Sequence, residues 1–198
     1  MKQTIRYNTF ETNSSSYHTL SIVKKTEEPT PKEIIKGQDL IINNHINYKT
    51  IGYTESYLYT GIGTYEKAQM VLRFMGYDLE RQFDKLEYED LYRDEKDGFI
   101  DWNKYTQVFK EHFYEIPMIQ AFIKAIKKYI GEDKNVTIEF NNNNDLIETV
   151  SDEGKATYEL FGVDNKEDLA NVDKMSEIFY NIIFDDNVEM IEKCESNE

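Results

Sequence analysis

Near its start the chain reads RYNTFETNSSSYHTL, residues 6 to 20, a dense gathering of groups able to move a proton or hold an anion. Glu11, Thr12, Asn13, Ser14, Ser15, Ser16 and His18 fall within eight consecutive positions. A serine hydroxyl becomes a useful nucleophile when a base within about 2.6–3.2 Å accepts its proton. On a strand, His18 would share a face with Ser16, and Glu11 across a hairpin would orient the imidazole. Ser14, Ser15, Ser16, His18 and Glu11 are therefore candidate catalytic residues. The same loop offers binding instead: successive amides and hydroxyls form a concavity for phosphate or carboxylate, with Arg6 as a bidentate clamp and Asn13 beside it. A third reading is a turn whose Ser, Thr and Asn side chains satisfy their own backbone.

Other motifs carry less chemistry. In the segment 94–101, DEKDGFID, Asp97, Gly98 and Ile100 fit the fifth, sixth and eighth positions of a calcium loop. That register puts Arg93 first and Lys104 twelfth, where carboxylates must coordinate the ion, so a turn followed by an Asp101 helix cap is the expectation. His18, His45 and His112 lack metal-ligand spacing. Gly61 and Gly63, in TGIGT, lack the glycine and lysine of a phosphate loop and read as a tight turn. A single cysteine, Cys194, excludes an intramolecular disulfide. No cofactor and no metal is implied.

Charge provides the second candidate for function. The formal net charge is −15, and it is clustered. Residues 77 to 101 hold ten acidic and four basic side chains, and residues 152 to 198 hold fourteen and four, whereas residues 1 to 50 are net +2. Nucleic-acid affinity needs Lys and Arg to displace condensed counterions, so direct binding to a phosphate backbone is not expected. Carboxylates interleaved with tyrosines suit a basic groove on another protein. Asp84, Glu87, Glu89, Asp90, Asp94 and Glu95 are the candidate partner-binding carboxylates, with Tyr88 and Tyr92 as the apolar anchors that a tight interface requires. A solvated face serving only solubility is the alternative.

Phe10 to Ser16, then one residue and His18, resembles the opening of a set of proteins from low-GC bacteria and their phages. The match spans about fifteen of the 198 residues. It implies a phage-type origin and a site at the shared polar string; it implies no particular reaction.

The elements that would position these groups follow from periodicity and stop signals. Residues 2–10 and 17–24 alternate like the two strands of a hairpin closed by the serine run. A strand at 39–42 follows Pro29, Pro31 and Gly37. From Thr64, taken as an N-cap, Ala68, Val71, Leu72, Met75 and Leu79 repeat as a buried helical face, ended or bent at Gly76. Residues 101–114 read as a second helix, and Pro117 opens a third that stops at Gly131, with Ile116, Ile119, Phe122, Ile123, Ile126 and Ile130 inward. Residues 135–140 and 146–150 read as a second hairpin, 155–161 and 166–184 as helices, 187–192 as a sheet edge and 193–198 as a frayed tail. The expected fold is α+β: one domain over 1–198, with an N-terminal β-hairpin, central helices, a second hairpin and a C-terminal helix and strand. Residues 77–101 form an acidic helical lobe within it.

The hydrophobic fraction of 39% and aromatic fraction of 14% suit a packed core, and no stretch approaches a membrane span or a signal peptide, so a cytoplasmic protein is expected. The sequence favours a phage-type accessory protein that binds and inhibits a basic host protein, a nucleic-acid-handling or defence effector, through its acidic tyrosine-bearing surface. Such a protein is not an enzyme. The competing expectation is a transferase or hydrolase acting on a phosphate-bearing or acyl substrate through the Ser/His loop. Neither reading specifies an oligomeric state.

Overall fold

A computed structural model describes residues 32–43, 49–50, 57–61, 63–93, 98–140 and 157–194. The N-terminal hairpin, the Ser/His cluster from Arg6 to His18, and Asp94 and Glu95 lie outside the described residues. What is described is α+β and mostly helical.

The core forms where two strongly amphipathic helices meet. Helix α5, Pro117–Ile130, buries Met118, Ile119, Phe122, Ala125, Ile126 and Ile130. Helix α7, Val172–Phe184, buries Met175, Ser176, Phe179 and Ile183 against it. Phe122 meets Phe179 edge to face, with Phe161 completing the stack. Local signals set the ends of α5 as the sequence leads one to expect. Pro117 stands in the first turn, where its missing N–H costs nothing. Gln82 Oε1 accepts from the Met118 N–H at 2.9 Å, and Gly131 turns the chain at φ 127°. The run expected as one helix over 166–184 is instead a 3₁₀ turn, Glu167–Ala170, followed by α7. Asn171 separates them because its side chain accepts from the Lys174 N–H at 3.0 Å and caps α7 afresh.

Helix α1, Thr64–Phe74, packs on α7, and α2, Gly76–Asp84, follows after a break at Met75. Thr64 is the first helical residue and not the cap; Gly63 holds the cap position and contributes no side chain. Glu33, about thirty residues earlier, supplies the missing acceptor. Its Oε2 takes the Thr64 N–H at 3.3 Å and the Thr64 hydroxyl at 2.8 Å, while that hydroxyl oxygen accepts from Ile34 N at 2.6 Å. Segment 32–34 runs so close to the helix start that a Cβ on Gly63 would collide with the Lys32 carbonyl oxygen. Gly63 thus sits at a backbone crossing. At the far end of this pair, Lys67 is buried and its Nζ donates to the carbonyls of Asp185 at 2.7 Å and Val188 at 3.1 Å, closing the C-terminus of α7.

Among the described residues, the strands are short and form two sheets. Strand β1, Leu40–Asn43, pairs with β4, Val136–Glu139, in parallel. Strand β3, Tyr57–Gly61, is flanked antiparallel by β2, Lys49–Thr50, and by β5, Met190–Cys194. The partner that β4 finds among the described residues is a strand nearly a hundred residues earlier; residues 146–150, the other arm of the expected second hairpin, lie outside the described residues. The register puts Ile42 opposite Ile138, so both bury on the core side. Asp39 fixes the entry by accepting from the Asn135 N–H at 2.8 Å.

The described part of the acidic segment 77–101 lies on α2 and on α3 (Glu89–Tyr92), which packs on α4 (Trp102–His112) with its continuing 3₁₀ turn, Phe113–Glu115. Phe83, Tyr92, Tyr105, Phe109 and Phe113 form a chain of ring contacts beneath it, with Phe83 at 4.9 Å from Phe109 and Tyr92 at 5.0 Å from Tyr105. Asp101 caps α4, its Oδ1 accepting from the N–H groups of Asn103 at 3.1 Å and Lys104 at 3.2 Å. A bridge joins Arg93 to Ile100, and the Asp101 N–H donates to Tyr92 O at 2.9 Å, so the end of α3 and the start of α4 lie side by side.

Candidate functional site

The described half of the site is the outer face of α2, α3 and the start of α4. Glu80 and Asp84 stand one turn apart on α2, a spacing at which like charges repel. Burial, followed by the charge of Asp84, raises the Glu80 carboxyl above its usual range. Asp84 is raised by burial first and then by Glu89, with the Arg93 guanidinium opposing both. These carboxylates therefore sit where the fold makes their charge costly. Arg93 is the cation set among them, its Nε 2.9 Å from Glu89 Oε2 and its Nη1 reaching the Gly98 carbonyl at 3.4 Å. No ion pair joins Glu80, Asp84, Glu87 or Asp90 to another described residue.

The other acidic block differs. On and before α7, Asp173 meets Lys124 at 2.6 Å, Glu177 meets Lys128 at 2.8 Å and Asp168 meets Lys174 at 2.7 Å. These three carboxylates are answered by lysines of α5 and α7, whereas Glu80, Asp84, Glu87 and Asp90 have no such partner among the described residues.

Large apolar side chains emerge through this rim. Phe99 is 74% exposed, Trp102 67% and Leu91 53%; Leu91 and Trp102 flank the Arg93–Ile100 bridge, and Phe99 adjoins it. The expectation missed them. Trp102 stands three residues before Tyr105 and seven before Phe109, so helical periodicity assigns it to the buried stripe. In the fold, α4 begins beyond the edge of the core, and Trp102 touches only its end, edge to face with Tyr105 at 5.6 Å.

The two tyrosines proposed as anchors separate. Tyr92 is only 2% exposed, stacked on Phe83 at 6.2 Å, and its hydroxyl bonds to Asp84. It supports the face from below and is not an anchor, because the short α3 turns its last residue into the aromatic cluster. Tyr88 is half-buried and bonded to Glu115. Glu87, Glu89, Asp90 and Asp84 are exposed on this face. Tyr105, buried beside Glu80 and Asp84, has its hydroxyl pushed far above the ordinary range by burial first.

Among the described residues, no group of three or more His, Cys, Asp or Glu side chains is gathered as a metal site would need. No helix among them is long and apolar enough to cross a membrane. Exposed apolar side chains at Leu91, Phe99 and Trp102 and exposed carboxylates at Asp84, Glu87, Glu89 and Asp90 are carried by the same consecutive stretch of chain. No protein-family model, curated protein or solved structure matches this chain.

Proposed function

We propose that this chain is a capture protein that binds and inhibits a basic, nucleic-acid-handling protein through the α2–α3–α4 face. Carboxylates at Asp84, Glu87, Glu89 and Asp90 take the place of phosphates in the partner's cationic groove. Leu91, Phe99 and Trp102 fill apolar pockets at its centre. The observation that carries this reading is the exposure of those three large side chains close in sequence to exposed carboxylates, since aromatic anchors supply most of the binding energy in tight interfaces. Raised carboxyl groups at Glu80 and Asp84 add support, because a partner's Lys or Arg would relieve the repulsion that the fold tolerates. The FETNSSSxH resemblance supports a phage-type setting in which the partner is a host protein.

The test is affinity capture from a low-GC bacterial lysate, followed by measurement with the purified partner. Dissociation should steepen as salt rises from 50 to 500 mM, because exposed charge pairs are screened over about 8 Å at physiological ionic strength. Trp102→Ala should weaken binding at least tenfold, an effect of about 1.4 kcal/mol or more. A complex indifferent both to salt and to Trp102→Ala removes this face from the account.

A further inference from the structure

Tyr105 is 6% exposed, and its hydroxyl has no hydrogen-bond partner among the described residues. A buried phenol normally recovers the hydrogen bonds that it gives up to water, so an unpaired one marks a place where a polar group is missing. The ring is held on several sides: edge to face on Phe83 of α2 at 5.7 Å, on Tyr92 of α3 at 5.0 Å and against Trp102 of its own helix at 5.6 Å. Held there, the hydroxyl stands within the fields of Glu80 and Asp84, the two carboxylates one turn apart on α2, and of the Tyr92 hydroxyl. No cation of the described residues pairs with either carboxylate. Arg81, the one cation within α2, turns to Asp78 at 3.6 Å, and Arg93 pairs with Glu89 at 2.9 Å and opposes the charge of Asp84 from that side. Burial and Asp84 are what act on Glu80, and both disfavour its charge.

Two carboxylates and a phenol oxygen are three acceptors with no donor of positive charge among them. A guanidinium carries five N–H donors in one plane, so a single group can donate to Glu80, Asp84 and Tyr105 together. Its faces also take aromatic rings, and Trp102, largely exposed beside Tyr105, offers one. An ammonium is a more strongly hydrated point charge and gives up more water for the same contacts. A metal ion is a poorer occupant still, because no three carboxylate, His or Cys side chains gather here among the described residues.

We propose that Glu80, Asp84 and the Tyr105 hydroxyl form a socket for a guanidinium group, the side chain of an arginine presented by the captured protein. The origin of that arginine rests on the capture reading above; the socket itself belongs to the free protein and is tested without a partner. N-acetyl-arginine amide is the probe, titrated at a constant ionic strength of about 100 mM while the Asp84 carboxyl and Trp102 indole resonances are followed by NMR. The shifts should saturate with a Kd of about 1–10 mM. Glu80→Gln, on an exposed position, should weaken binding by about fivefold or more, and Tyr105→Phe, which keeps the packed ring and loses only the acceptor, by about threefold or more. Glu177→Gln removes an equal charge from the α7 face and should leave the titration unchanged. N-acetyl-lysine amide should bind at least about threefold more weakly than the arginine probe. Shifts that never saturate overturn the socket, as does a wild-type affinity in both Glu80→Gln and Tyr105→Phe, or a loss in Glu177→Gln as large as that in Glu80→Gln. Equal binding of the two probes overturns the assignment to guanidinium. Failure of partner capture leaves the probe titration standing, and failure of the probe leaves the salt and Trp102→Ala tests of capture standing, so the two proposals fall separately.

Discussion

Lys67→Met removes a cation from one of the most enclosed places in the molecule. Lys67 is 1% exposed, and its ammonium donates at 2.7 Å and 3.1 Å to two carbonyls just past the end of α7. A hydrogen bond from a charged donor contributes about 1.5–3 kcal/mol, and a cation at a helix C-terminus about 0.3–1 kcal/mol more. Methionine keeps most of the alkyl packing, and water can reach these part-buried carbonyls once the ammonium is gone, which offsets some of the loss. The expected net loss is about 2–4 kcal/mol. That is a large fraction of a total of about 5–15 kcal/mol. Urea denaturation followed by circular dichroism should show the midpoint falling with an unchanged slope, and the melting temperature should drop by roughly 5–15 °C. Lys124→Met is the contrast, since its ion pair with Asp173 is exposed on both sides and should cost under about 1 kcal/mol. Equal losses for the two variants, or a loss below about 1 kcal/mol for Lys67→Met, would refute the argument from burial.

Gly63→Ala should destabilise by about 1–3 kcal/mol in the same assay, because its Cβ meets the Lys32 backbone as well as the Glu66 carboxylate, and the backbone cannot swing aside as a side chain can. Glu87→Asn should raise stability by up to about 1 kcal/mol, since asparagine tolerates the left-handed backbone, while weakening partner binding in calorimetric titration by removing a rim carboxylate. Asp84→Asn retains an acceptor for the Tyr92 hydroxyl and should stabilise the fold at pH 7 by under about 1 kcal/mol, as expected for a partly exposed group. A carboxyl whose folded value is raised costs stability above that value and ceases to do so as protonation proceeds. The advantage of Asp84→Asn should therefore vanish in melts taken below about pH 4, and an advantage that persists there would contradict the assignment.

Periodicity and local stop signals are properties of a few neighbouring residues, and they carried most of the helical layout. The inward stripes of α1, α5 and α7, the Pro117 start, the Gly131 stop and the Asp101 cap all depend on groups within a turn or two of each other. The concentration of carboxylates in residues 77–101 was equally legible, because charge is counted and not folded. The tertiary structure alone decided which groups meet across long stretches of chain. It paired β4 with β1 in parallel, brought Glu33 to cap α1, sent Lys67 to the end of α7, buried Tyr92 and left Trp102 outside. A side chain's pattern says which face of its own element it occupies; whether another element covers that face depends on where the core ends. For α4 the core ends one turn short of Trp102, and that missing turn of cover is what makes an apolar helix face into a candidate surface for a partner.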